Sequence, residues 1–302
     1  MLMTIIWGGT FVIIKISLTD ISSMLFLGIR FTIAGLILLP FVYKKVINTD
    51  PDDILRASLL GLFLFVAFAT QTIGLKYTSA TKSSFITGTV VIIIPLLQVI
   101  MERKKPSTGT VLGTVLVLIG LMFLSAKDTP INNFFNELGS NFNIGDFFTF
   151  ICALIFSVHI VYLDIISKKI DFMVLVFMQI LVTAVLSFIM SAVFSGSGIE
   201  PVKFVFSDSL IFGLLYTSIL ATILTTILQT RYQKEVSPAK AGIIYSFEPI
   251  FAATFAVLIL NEQLFIYGII GSLLIFSGLI LSEVLERKKT VSAQITNEYQ
   301  EN

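Results

Sequence analysis

Along its 302 residues the chain falls into ten mostly apolar stretches, 2–18, 24–43, 54–74, 80–101, 106–125, 144–166, 172–194, 207–230, 238–260 and 265–285. Each is close to the roughly 20 residues an α-helix needs to cross the hydrocarbon core of a bilayer. Backbone N–H and C=O groups find no water there, so such stretches are read as helices whose hydrogen bonds close within the segment. Composition agrees. With 56% hydrophobic and 13% charged residues, the chain has too little charge to cover a soluble domain. The expected fold class is an all-α integral membrane protein with ten transmembrane helices.

Several chemistries are excluded at once. The one cysteine, Cys152, rules out an internal disulfide framework and a cysteine-based metal site, and the one histidine, His159, rules out a multi-histidine site within one chain. No metal or cofactor is expected. A formal net charge of +1 provides no concentrated basic surface to displace phosphate counterions, so no nucleic-acid partner is expected either. The first stretch begins at Met1 without a basic leader or a small-residue cleavage site and reads as a retained helix rather than a signal peptide.

The chain is written twice. At an offset of 158 residues, 71–125 and 229–283 share Gln71 with Gln229, Thr72 with Thr230, Lys76 with Lys234, Ser79 with Ser237, Lys82 with Lys240, Gly113 with Gly271 and Gly120 with Gly278. Apolar residues match by chance between two greasy segments. Glutamines, lysines and glycines in register do not, and the pattern reads as an internal duplication. The first two stretches echo more faintly at an offset near 149, which sets Arg30 against Gln179 and Trp7 near Ile155. The expected organisation is a five-helix repeat over 1–125, an inter-repeat loop over 126–143, a second five-helix repeat over 144–285, and a solvated, disordered cytoplasmic tail over 286–302.

Five is odd, so equivalent loops of the two repeats must face opposite sides of the membrane. Lys and Arg near a span resist translocation. Placing both termini in the cytoplasm puts 14 of the 20 basic residues on that side. Lys15, Lys76, Lys82, Lys127 and Lys203 fall outside, and Arg30 within a span. Three loop pairs then flip as inversion requires. Arg103-Lys104-Lys105 stands against the uncharged-by-base Asn261-Glu262-Gln263, the base-free turn 17–23 against Lys168-Lys169, and Lys44, Lys45 and Arg56 against Lys203 alone. The fourth pair, Lys76 and Lys82 against Lys234 and Lys240, is basic in both copies.

Ten spans in two inverted halves, the opening Trp7-Gly8-Gly9-Thr10-Phe11, Arg30 in the second span, Ser246-Phe247-Glu248-Pro249 in the ninth and Glu262 just after it resemble the drug/metabolite transporter superfamily. The likeness is to its EamA-type members, over about residues 2–285, as two tandem EamA domains. It implies a substrate cavity between the halves, the fifth and tenth spans packed at its edge, and export or exchange of amino acids and other small metabolites across the plasma or inner membrane of the cell. One departure stands out. Pro95 lies seven residues before Glu102, whereas Pro249 lies thirteen before Glu262, so the two prolines are not equivalent.

An ionisable group near mid-span costs at least about 2.5–3.5 kcal/mol, so each needs a reason. Glu248 lies at mid-depth directly before Pro249, whose missing N–H loosens the helix. It is the leading candidate for holding a substrate amine or a proton, against an interhelical hydrogen bond from a protonated carboxyl. His159, past the middle of the sixth span, is a candidate proton relay, against a neutral packing histidine. Asp164 reads as the i,i+4 partner of Lys168. Arg30 reads as structural, snorkelling or paired with an acid, and Lys15, Lys82 and Lys240 as anchors at span ends. Trp7, Phe85, Tyr216 and Tyr245 are candidate cavity walls, since aromatic faces hold apolar or cationic groups. Gln71, Gln179 and Gln229 read as gate or structural polar residues. The seven-residue spacing of Gly113 and Gly120, and of Gly271 and Gly278, puts each pair on one helix face and predicts a close helix contact, within the chain or between two copies in a homodimer.

The function expected is secondary transport of a small-molecule substrate by alternating access. No GxxxxGK[ST] motif is present for ATP hydrolysis. A membrane-embedded enzyme is the alternative, without HExxH or GxSxG to support it. A channel would need a charged ring or a carbonyl filter, and neither is visible.

Overall fold

The structure, a computed structural model, describes residues 1–103, 105–125, 142–263 and 266–301. These are helical almost throughout. The helices are α1 (Leu2–Ser17), α2 (Ser23–Ile47), α3 (Pro51–Tyr77), α4 (Ala80–Gly88), α5 (Val90–Glu102), α6 (Thr108–Ser125), α7 (Ile144–Ile166) and α8 (Phe172–Gly196). Next, α9 (Asp208–Leu215) passes through a π-helical segment, Tyr216–Leu224, into α10 (Thr225–Tyr232) and a 3-10 turn, Gln233–Glu235. Last come α11 (Pro238–Tyr245), α12 (Glu248–Leu260) and α13 (Ile266–Glu301). A helix covers each of the ten apolar stretches. Seven of these segments are long and apolar enough to cross a membrane, while Leu2–Ser17, Thr108–Phe123 and Ile266–Ser282 are apolar but shorter. The chain is therefore a multi-pass, nearly all-helical membrane protein.

Local chemistry sets the helix starts. Asp50, with Pro51 behind it, accepts from the Asp52 N–H, and Asn143 and Asp146 form a reciprocal capping box on α7. The duplicated Ser79 and Ser237 do the same job twice, accepting from the N–H groups of the duplicated Lys82 and Lys240. The ends repeat as well: Arg103 and Asn261, 158 residues apart, both close their helices in the left-handed region, at φ 57° and 53°. So do the interruptions. The fourth span breaks at Thr89 and the ninth at Ser246-Phe247, equivalent positions although the prolines nearby are not. In the second copy Pro249 sits in the first turn of the new helix, where its missing N–H costs nothing. In the first copy Pro95 lies inside α5.

Two expectations need comment. Residues 126–141, most of the inter-repeat loop, lie outside the described residues. The tail expected to be disordered instead continues α13 as helix to Glu301. No Gly or Pro follows Gly278, and the stretch is rich in Glu, Lys and Gln, so nothing in it ends the helix.

Packing joins the two copies at their centre. Helix α1 lies along α12, α3 along α7 and α8, α2 along α8, and α6 along α13. At α6 and α13 a Cβ on Gly113 would come within 2.8 Å of the Gly278 carbonyl, and one on Gly120 within 2.7 Å of the Gly271 carbonyl. The expected glycine contact is thus made within the chain, between antiparallel helices, each copy's first glycine meeting the other copy's second. Gly8 plays the same part for α1, where a Cβ would meet Phe251 Cβ at 2.6 Å and Ala252 N at 2.8 Å. At one end of the molecule Lys76 pairs with Glu200 at 2.5 Å, and Lys82 with the fully buried Asp146 at 2.6 Å. At the other, Lys168 pairs with Asp164 at 2.6 Å, as its spacing predicts.

Candidate functional site

Five helices from both copies converge on a small central cavity. Helix α1 contributes Trp7, Thr10 and Phe11; α3 contributes Ala67, Phe68 and Gln71; α4 contributes Thr87; α7 contributes Cys152 and Phe156; α12 contributes Glu248. The approach is close because of small residues at the crossings. Gly8 lets the α1 backbone meet α12, and Gly88, just before the break in the fourth span, faces Pro249, just after the break in the ninth. The two interruptions therefore meet at the cavity wall. Glu248 occupies the first position of α12, where the unpaired N–H groups of a helix start favour negative charge. Its carboxyl is the acidic group of the lining, among aromatic rings and two threonine hydroxyls.

Aromatic rings pack at the cavity wall. Trp7 packs edge-on against Phe156 at 5.9 Å and against Tyr245 at 5.5 Å between centroids. The Trp7 indole N–H is tied to Thr225 Oγ1 at 3.0 Å, and the Tyr245 hydroxyl reaches Gln233 Oε1 at 3.5 Å. Further along α1 the contacts are polar. Lys15, about 6 Å beyond Phe11 along α1 by helix rise, donates to the Leu75 and Thr78 carbonyls, and Thr81 donates to Glu262 at 2.5 Å. The cavity holds about 30 Å³, room for one or two waters. No metabolite fits in this conformation, since ligand pockets run to roughly 300 Å³ or more.

Of the residues singled out from sequence, Trp7, Gln71 and Glu248 line the cavity, and Tyr245 stands directly behind Trp7. Gln71 bonds to Thr87, another lining residue, at 3.4 Å. His159 is set back by one layer. Its ring stacks on Phe156 at 5.6 Å and 6°, its Nε2 meets Gln179 Oε1 at 2.7 Å, and Gln179 in turn reaches Thr230 at 3.4 Å. Gln229 is buried, with its amide nitrogen unpartnered. Phe85 packs elsewhere, in a cluster with Val117, Leu121 and Ile275 of the glycine helices. Tyr216 is tied by its hydroxyl to the Ile6 carbonyl at 2.9 Å, bracing α1 from outside the cavity. Arg30 is fully buried, and among the described residues no carboxylate lies at ion-pair distance from it. It donates to Thr222 Oγ1 at 2.8 Å and to the Ala221 carbonyl at 3.1 Å, with its guanidinium 4.9 Å from the centroid of Phe68, whose ring lines the cavity. Sequence reasoning missed Phe68, Thr87, Cys152 and Phe156 as lining residues. From the sequence, Thr10 and Phe11 stand out only as part of the opening motif, and Ala67 not at all.

Comparison with known proteins comes to the same place. The model of the EamA-like transporter family matches residues 1–126 and again 143–283. The chain is similar to an uncharacterized transporter of Archaeoglobus fulgidus, 32% identical over 280 residues that cover 93% of this chain and 83% of the relative. It is similar to the uncharacterized transporter YoaV of Bacillus subtilis, 23% identical, covering 92% and 93%. A WAT1-related protein of Arabidopsis thaliana matches at 23% identity over 90% of this chain and 82% of its own length. A solved crystal structure superposes with a TM-score of 0.72 at 17% identity, covering 95% of this chain and 96% of the other, a likeness of fold.

Proposed function

The chain belongs to the EamA-like transporter family, and from that premise we propose that it is a secondary transporter carrying a small metabolite, an amino acid or a related amine, across the cell membrane by alternating access, in export or exchange. The observation that carries this reading is the cavity itself. It is lined by helices of both copies, and Glu248, at the break in the ninth apolar stretch, is part of that lining. A carboxylate among Trp7, Phe68 and Phe156 suits an ammonium group, which both the charge and the ring faces attract.

The proposed topology has ten spans, two inverted halves and both termini in the cytoplasm. The antiparallel crossing of α6 and α13, with the glycines exchanged between copies, supports inversion. The exception in the charge count also has a physical account. Lys76 and Lys82, the members of that pair on the side expected to be poor in base, are each held by a carboxylate, Glu200 and Asp146. Transport follows when the halves rock, releasing the Trp7–Tyr245–Phe156 cluster at one end or the Lys15, Thr81 and Glu262 contacts at the other.

The test is a thermal-stabilisation screen of the purified protein against amino acids, amines, sugars and nucleosides, followed by flux of each hit in proteoliposomes. An amine-bearing hit carried by wild type is expected to lose binding by roughly ten- to a hundredfold in Glu248→Gln, matching the about 1.5–3 kcal/mol of a hydrogen bond to a charged group. Undiminished flux in that variant removes Glu248 from the mechanism.

A further inference from the structure

A second, larger recess opens at the end of the molecule where α7 turns into α8 and the α10 helix ends. Its volume is about 680 Å³, and its wall carries Lys168, Lys169, Arg231 and Lys234 against two acids, Asp171 and Glu235. Neither the central cavity nor the transport reading uses these side chains.

The charges are unequally engaged. Lys168 is held by Asp164, and Asp171 is held by Lys45 at 2.8 Å while capping α8 through the Met173 N–H. Among the described residues, Lys169, Arg231 and Lys234 have no carboxylate at ion-pair distance. One of them has a basic counterpart that shows the contrast: Lys76, the duplicate of Lys234, has Glu200 at 2.5 Å. Glu235 remains as the one acid to set against three free cations. With those pairs set aside, the recess keeps an excess of two positive charges.

The aromatic setting adds depth. The Arg231 guanidinium lies over Phe172 at 5.8 Å and over Tyr232 at 5.7 Å, and Lys45 lies over Phe172 at 5.9 Å. Tyr232 is 52% exposed. Rings beside cations at the ends of apolar helices mark the level of lipid headgroups, where basic recesses between spans hold anionic headgroups.

We propose that this recess is a binding site for the phosphate group of an acidic phospholipid, with Lys169, Arg231 and Lys234 as its ligands. An anion there is shared between the α7–α8 turn and the end of α10. A headgroup is favoured over free phosphate because the recess opens at the ends of spans, beside Phe172 and Tyr232, where acyl chains have apolar surface to follow.

The experiment titrates the full-length protein in neutral detergent with short-chain phosphatidylglycerol, with short-chain phosphatidylcholine and with inorganic phosphate, reading saturable binding. Phosphatidylglycerol is expected to bind at least about tenfold more tightly than phosphatidylcholine, and the triple variant Lys169→Gln, Arg231→Gln, Lys234→Gln to lose that preference. A charge-keeping variant, Lys169→Arg with Lys234→Arg, is expected to retain it, as is the control pair Lys44→Gln with Lys105→Gln, exposed cations outside the recess. Each variant is checked for an unchanged thermal unfolding midpoint. Selectivity that survives the triple variant, or that the control pair abolishes equally, overturns the site. Inorganic phosphate binding as tightly as the lipid overturns the lipid as its occupant.

Discussion

At the scale of single residues, the polar groups buried in this protein divide by what they touch. Glu248 faces the cavity, whereas His159 is held behind Phe156 by Gln179, in a position to orient the ring that the cavity sees. Arg30 is the clearest structural case. Its fork is shared between Thr222 and the Ala221 carbonyl, both within the π-helical segment Tyr216–Leu224, and its flat face rests on Phe31 and Phe68. A π-helical segment leaves backbone carbonyls displaced from the regular ladder, and a buried guanidinium is suited to meet one. Replacing Arg30 by Lys keeps a charge but not the planar fork. The expected outcome is a loss of about 1.5–3 kcal/mol of stability, the worth of hydrogen bonds to a charged group, seen as a lower unfolding midpoint in detergent with insertion unchanged.

At the scale of helices, close approach and end-pairing decide the packing. Gly8→Ala places a methyl 2.6 Å from Phe251 Cβ and 2.8 Å from the Ala252 nitrogen, part of it backbone that cannot rotate away. The expected cost is about 1–3 kcal/mol, measurable by thermal unfolding. The loop after α8 is fastened by Glu200, which takes Lys76 at 2.5 Å together with the backbone and side chain of Ser23. Partial burial raises the Glu200 carboxyl, but the hydrogen bonds from Lys76 and Ser23 outweigh it and leave the group below its ordinary value of 4.5. A carboxyl lowered by folding stabilises the folded state above its unfolded value, and that contribution is lost as pH falls through the folded one. Thermal stability is therefore expected to decline on acidification below about pH 4.5, and Glu200→Gln to be less stable at neutral pH and less sensitive to acid. Much of this scale was legible in the sequence. Paired glycines announced a contact, whereas the caps at the duplicated Ser79 and Ser237 show only in the structure. The rotation of each helix was not. Phe68 and Phe156 line the cavity while Phe85 does not, and polarity does not mark the difference: in α4 the polar Ser83, Ser84 and Thr87 are buried along with Phe85. With 28 phenylalanines in the chain, ring identity alone selects nothing.

At the scale of the whole molecule, two copies of one helical unit enclose a cavity of about 30 Å³, too small for the proposed cargo until the halves move apart. The chain provides its own reporter of that movement. Its single cysteine, Cys152, lines the cavity and is 3% exposed. The decisive measurement is the rate at which a membrane-impermeant thiol reagent labels Cys152 from each face of oriented proteoliposomes, with and without a carried solute on one side. Alternating access predicts labelling from both faces whose ratio changes when the solute is present, because the solute favours one orientation of the halves over the other. A ratio that no carried solute alters, or a cysteine that neither face reaches, would contradict transport through this cavity.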